Sequence, residues 1–165
     1  MEFEWQTRMW YLPSPLDGFV LNVNFTHIFS KAQYPYTIAE RNGRAITYVD
    51  TSFTDRLLFQ PDDVLNLSVG YDLGGFSARL SMLHQGKVFT GVEFWPQLRS
   101  WTSAYTRWDL SVRQILPWFG LQLFGDIYNI NNVDDVSVIN GINANVPRLE
   151  QSYGMMADLG LRIQF

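Results

Sequence analysis

Few side chains in this sequence are of the kind that break or make bonds. There is no Cys among the 165 residues, which excludes disulfide scaffolds, thiolate metal sites and Cys nucleophiles. The two His, His27 and His84, have no second His or carboxylate at a telling spacing, so they predict strand-end surface residues rather than ligands or bases. Asp134-Asp135 is an acidic pair, but ligands do not follow at alternate positions as a calcium loop requires. The expectation is therefore no catalytic residue, no metal, no cofactor and no enzyme. The net charge of -4 argues against nucleic acid as a partner, because phosphate binding needs a basic face.

What the chain has in excess is aromatic surface: 8 Tyr, 12 Phe and 6 Trp, 16% of the sequence, against only 17% charged residues. The apolar fraction of 47% excludes wholesale disorder. Length alone suggests about one domain. The start, Met1-Glu2-Phe3-Glu4-Trp5, has neither the basic nor the apolar region of a signal peptide. No run of about 18 apolar residues provides a transmembrane helix.

The elements that must position these rings have a period of two. From 153 to 165 the odd positions are Tyr153, Met155, Ala157, Leu159, Leu161, Ile163 and Phe165; between them lie Gly154, Met156, Asp158, Gly160, Arg162 and Gln164. Side chains alternate across a strand, so one face of this strand is dry. The same alternation recurs at Phe3 to Tyr11, Phe19 to Phe25, Leu65 to Leu73, Phe76 to Met82 and Trp108 to Val112. Residues 121–130 carry large apolar groups on both faces, and their register stays open. Seven strands of roughly ten residues result, with no helix. Short turns at 13–18, 74–75 and 117–120 alternate with long loops at 30–61, 86–104 and 131–152.

A soluble sandwich also alternates. Three features favour a membrane barrel instead. The strands are long for a globular protein and match the 9 to 11 tilted residues that span a bilayer. The polar face collects charges and small groups suited to a lumen. Aromatic residues gather at strand ends, where interfacial Trp and Tyr belong. Tight turns at one edge and long loops at the other complete the pattern of an outer-membrane barrel.

Particular stretches resemble the C-terminal part of a TonB-dependent outer-membrane receptor. QPDDVLNLSVGYDLGGFSARLSMLHQG resembles a late hairpin of that family, and YTRWDLSVRQILPWFGLQLFGDIYNINN the next one. YGMMADLGLRIQF resembles its terminal strand, and EFEWQTRMWYLPSPLDGFVLNVNFTHIFSKAQ an earlier hairpin. The resemblance implies an all-β fold: residues 1–165 would be a transmembrane antiparallel segment, the sixteenth to twenty-second strands of a 22-stranded barrel. Short turns would be periplasmic and long loops extracellular, in the outer membrane of a Gram-negative bacterium. The family's signal peptide, N-terminal plug and energy-coupling box have no counterpart here, so the expectation is a fragment or truncated reading frame.

The resemblance also implies roles. Tyr34, Tyr36, Phe53, Phe94, Trp95 and Trp101, with Arg56 and Arg99, are candidate loop residues for capturing a siderophore, haem, cobalamin or oligosaccharide; the plainer reading is that they pack the loops. Arg79, Arg107, Asp109, Arg113, Asp158 and Arg162 would face the lumen and plug. Tyr153, Leu159, Leu161, Ile163 and Phe165 would form the signal read by the outer-membrane assembly machinery. The implied partners are the lipid bilayer, that machinery, the plug and the remaining barrel strands, with TonB reached only through the plug. A small structural or adhesive barrel of about eight strands is a second reading, and a soluble β-sandwich binding module a third. An even strand count would favour the second, and heat-modifiable migration in detergent separates both barrels from the third.

Overall fold

The computed structural model describes residues 1–93 and 95–163. Phe94, named above among the loop aromatics, and Gln164 and Phe165 of the terminal strand lie outside the described residues. The fold is all-β and antiparallel, with no α-helix among the described residues and two short 3₁₀ turns, Leu16–Gly18 and Pro96–Leu98.

Thirteen strands follow one another: β1 Glu2–Arg8, β2 Phe19–His27, β3 Ala32–Asn42, β4 Ala45–Asp55, β5 Asp63–Leu73, β6 Phe76–Gln85 and β7 Val88–Gly91. After them come β8 Ser100–Thr102, β9 Tyr105–Ile115, β10 Leu121–Tyr128, β11 Asp135–Ile139, β12 Val146–Gln151 and β13 Met156–Ile163. Seven of these, in the order β1-β2-β5-β6-β9-β10-β13, form one sheet. They are the seven strands expected from the alternation. The sheet does not close into a barrel: β1 and β13 are its edges and are paired on one side only.

The register settles what the sequence left open in β10. Leu123 faces Leu161 and Ile127 faces Ala157, so Leu121, Leu123, Gly125 and Ile127 share the apolar face, while Gln122, Phe124, Asp126 and Tyr128 take the polar one. Across the sheet, Leu21, Val69, Leu80, Leu110, Ile127 and Ala157 stand side by side on six strands. One residue along, the facing row is polar: Gln6, Asn22, Ser68, Ser81 and Asp109. A shallow depression of about 440 Å³ lies over that polar row.

Two ends differ from the sequence expectation. The first strand stops at Arg8, short of Met9 and Tyr11, and the last begins at Met156, not Tyr153. At the second, Gly154 adopts a φ of +69°, a left-handed kink that ends any extended run. Tyr153 and Met155 therefore precede the strand rather than belong to it.

The larger difference is in the long connections, which the sequence predicts as loops. They carry strands. β3 and β4 form a two-stranded ribbon in full register from Ala32↔Asp55 to Asn42↔Ala45. Its turn is Gly43-Arg44, between the paired Asn42 and Ala45, and Gly43 has φ +66°, a left-handed value that Gly adopts without penalty. Pro35 lies inside β3, which a strand tolerates at an unpaired edge, and β3 pairs only with β4. The other two connections contribute a four-stranded sheet, β12-β11-β8-β7. This order repeats β13-β10-β9-β6 of the main sheet, so the connections extend the strands they join.

At the opposite end the chain turns tightly. Gly18 is buried against the next hairpin: a Cβ there would lie 2.7 Å from the Asp72 carbonyl oxygen and 3.0 Å from the Tyr71 ring. Backbone cannot give way as a flexible side chain would. Gly18→Ala should lower stability by about 1 to 3 kcal/mol, read as a reduced denaturant midpoint; an unchanged midpoint would mean that the close approach is not maintained in solution.

Candidate functional site

The buried hydrophobic residues among the described ones are Val88 and Phe89, both on β7 and neither in the main sheet. Phe89 is wholly enclosed. Trp101 lies 4.6 Å from it, centroid to centroid, Tyr34 5.6 Å and Phe53 6.4 Å. Tyr36 packs on Phe53 at 5.7 Å. Three of the residues marked as candidate ligand contacts thus meet around one buried ring, with Tyr36 joined through Phe53, holding the β3–β4 ribbon against β7 and β8. Phe89 itself was not singled out by sequence; the short apolar pair Val88-Phe89 inside a long connection was its signal.

The polar tips of this cluster are also engaged. The Tyr34 hydroxyl donates to the Arg56 carbonyl at 2.8 Å and accepts from the Leu58 N–H at 3.1 Å. Arg56 is ion-paired with Asp62 at 2.8 Å and donates to the Ile28 carbonyl at 3.2 Å, so its charge is already matched. Arg99 lays its guanidinium 3.3 Å from the centroid of Phe53 and 5.3 Å from that of Tyr36, a cation–π stack. Trp101 donates its indole N–H to Asn140 Oδ1 at 3.2 Å, tying β8 to the end of β11. Trp95 is exposed just before the Pro96–Leu98 turn. The plainer role, packing the connections, describes Tyr34, Phe53 and Trp101.

A second constellation sits where β9, β10 and β13 meet their connections. Asn129 is buried, with a φ of +55°. Its backbone N–H donates to Asp109 Oδ1 at 2.9 Å. Its side-chain amide donates to the carbonyls of Val133 at 3.1 Å and Gly154 at 3.0 Å, and accepts from the Val133 N–H at 2.9 Å. Asn131 does similar work one step on, donating to the Thr106 carbonyl at 2.7 Å and accepting from the Trp108 N–H at 3.1 Å. Side-chain amides here replace a strand's own ladder groups, which is why Asn is suited to these positions. Beside this clasp opens a cleft of about 270 Å³, lined by Tyr105, Arg107, Tyr128, Asp134, Asp135 and Tyr153 among others.

The six charges named from the sequence fall on the polar face, as the register places them. Arg79 on β6 passes over Gly70 of β5 to reach Asp72 on the same strand with two hydrogen bonds of 2.9 and 2.5 Å. Gly70 makes this possible: a Cβ at that position would lie 2.5 Å from the guanidinium. Arg107 pairs with Asp109 on the same strand at 3.2 Å. Arg113 is opposite Ser77 and Phe124, and the Arg162 guanidinium lies 5.9 Å from the Phe124 ring. Asp158 stands directly opposite Asp126, and neither has an ion-pair partner among the described residues.

The two His sit at the same rim. His84 Nδ1 is 2.8 Å from the Thr106 hydroxyl and its other nitrogen 3.7 Å from Asp63, while the His27 ring packs on Phe29. No protein-family model, curated protein or solved structure matches the chain.

Phe89→Ala should empty the centre of the aromatic cluster at a cost of about 3 to 5 kcal/mol to that region. Amide exchange should then rise across β3, β4, β7 and β8 while β5, β6, β9 and β10 stay protected. Uniform loss of protection would mean the connections and the main sheet unfold as one.

Proposed function

We propose that this chain is an arc of a transmembrane β-barrel in the outer membrane, of the TonB-dependent receptor type. It would serve uptake of a scarce nutrient such as a siderophore–iron complex, haem, cobalamin or an oligosaccharide. One observation carries the reading: the apolar faces of seven strands align in register into a broad surface that no other layer covers. Leu159 is 81% exposed and Leu161 65%, with Phe3, Trp5, Val69, Leu80 and Leu123 also exposed. A soluble protein rarely leaves so large an apolar surface open to water. A sandwich would lay a second sheet over it, and the two remaining sheets are built from the connections at one end instead. Lipid is the solvent that fits such a face.

Further features support the same orientation. Exposed rings gather at the tight-turn end: Trp10 and Tyr11 after β1, Trp118 and Phe119 between β9 and β10. Such rings suit a membrane interface. The polar face, with its matched pairs Arg79–Asp72 and Arg107–Asp109, would line the lumen. The facing carboxylates Asp126 and Asp158 repel each other across the ladder. A cationic or donor-rich body inside the barrel, the role of a plug, would relieve them. Unpaired edges at β1 and β13 are not tolerated in a bilayer, so the arc would close with the further strands of a longer barrel. Import would be energised from the inner membrane through the plug.

In this reading Leu161→Arg places a charge on the lipid face and should cost about 2 to 4 kcal/mol, impairing assembly into the outer membrane. Arg113→Leu, on the opposite face, should leave insertion intact. Heat-modifiable migration of the outer-membrane fraction checks both. Normal assembly of Leu161→Arg, or loss of insertion with Arg113→Leu, would reverse the assignment of the two faces.

A further inference from the structure

The cleft beside the Asn129 clasp has a composition that the packing around it does not use. The start of β9, the end of β10 and the connection before β13 bring Tyr105, Tyr128 and Tyr153 to its lining. The Tyr105 hydroxyl donates to Gln85 at 3.5 Å and the Tyr153 hydroxyl to Gln151 at 3.3 Å, both partners outside the cleft. Two of the three phenol hydroxyls are thus engaged by residues that do not line the cleft, and Tyr128 and Tyr153 are 38% and 64% exposed.

The charges are unbalanced. Arg107 is neutralised by Asp109 at 3.2 Å. Asp134 and Asp135 line the same cleft, and neither has an ion-pair partner among the described residues. Asp134 Oδ1 is shielded from solvent and accepts no hydrogen bond among the described residues. A carboxylate with one oxygen removed from water and no partner is stabilised when positive charge is brought beside it. The cleft therefore disfavours an anion and leaves two negative charges for a neutral ligand to ignore.

We propose that this cleft binds an organic cation, an alkylammonium group seated against the three tyrosine rings with Asp134 and Asp135 as its counter-charges. Ring faces carry the negative end of the aromatic quadrupole and attract ammonium groups, quaternary ones above all. A space of about 270 Å³ suits such a headgroup rather than a large ligand. The cleft is built from two strand ends and the connection before β13, so it would persist whichever solvent meets the apolar face of the sheet.

The test is calorimetric titration of the full chain, folded in a polyoxyethylene detergent, with choline and with its uncharged carbon isostere dimethylbutanol. Folding is verified first by the β signature in circular dichroism. Choline should bind saturably at one site, with the isostere about tenfold weaker or worse. Asp134→Asn and Tyr128→Leu should each weaken choline about tenfold, whereas Tyr128→Phe, which keeps the ring, should bind like the parent. Equal binding of the isostere, no choline binding by the folded parent chain, or choline binding indifferent to both variants would overturn the proposal. So would selective binding of a neutral oligosaccharide in choline's place.

Discussion

One constraint organises the main sheet: all seven strands must keep their apolar residues on the same side. Side chains alternate with a period of two, so slipping any strand by one residue would turn its Leu and Val rows to the polar face and its charges to the apolar one. The pairing of Leu21, Val69, Leu80, Leu110, Ile127 and Ala157 fixes this register on six strands at once. Backbone hydrogen bonds alone would permit a shift. It is the chemical difference between the two faces that opposes it, since a slip would mix Leu and Val with Arg and Asp on both.

The polar face obeys the complementary constraint. Charges placed there must be matched within the sheet or by whatever lies over it. Arg79 is matched by Asp72, and the match needs Gly70, because any side chain on that residue would occupy the space the guanidinium crosses. Arg107 is matched by Asp109, whose other oxygen holds the Asn129 backbone. Asp109 is therefore a joint: one carboxylate links the ordered charge of the sheet to the clasp that aims the next connection. By contrast Asp126 and Asp158 face each other unmatched, and they mark where the face is incomplete by itself.

The main sheet was legible in the sequence because apolar and polar residues alternate along it with a strong two-residue period. All seven strands follow from alternation, and the register of β10 stayed open only because Phe124 and Tyr128 are large apolar groups on the polar side. The connections were read as loops for the opposite reason. Their alternation is short or broken: β3 sets Tyr34, Tyr36 and Ile38 against Gln33 and Thr37 but then runs into Glu40-Arg41-Asn42, β7 and β8 have only four and three residues, and β11 has five. Their signals are local: the Gly43-Arg44 turn, with Asn42-Gly43 as its mark in the sequence, and the Val88-Phe89 pair. Pro35 obscured β3, although an unpaired edge admits it. The cleft at Tyr105, Tyr128 and Tyr153 could not be read at all, since it joins three segments that only the register brings together.

The two regions of the molecule are consequently held by different means. The main sheet relies on long ladders and, among the described residues, encloses no buried hydrophobic side chain of its own. The connections rely on a small enclosed core, one Phe ring surrounded by Tyr34, Phe53 and Trp101, closed by the Arg99 stack. Local stability follows local burial, so the two regions are expected to respond separately to substitution. That separation is what a recognition surface on a fixed scaffold needs: ring and carboxylate chemistry varies at the strand ends, while the register beneath, tied in through Asp109 and Asn129, sets where those side chains can stand.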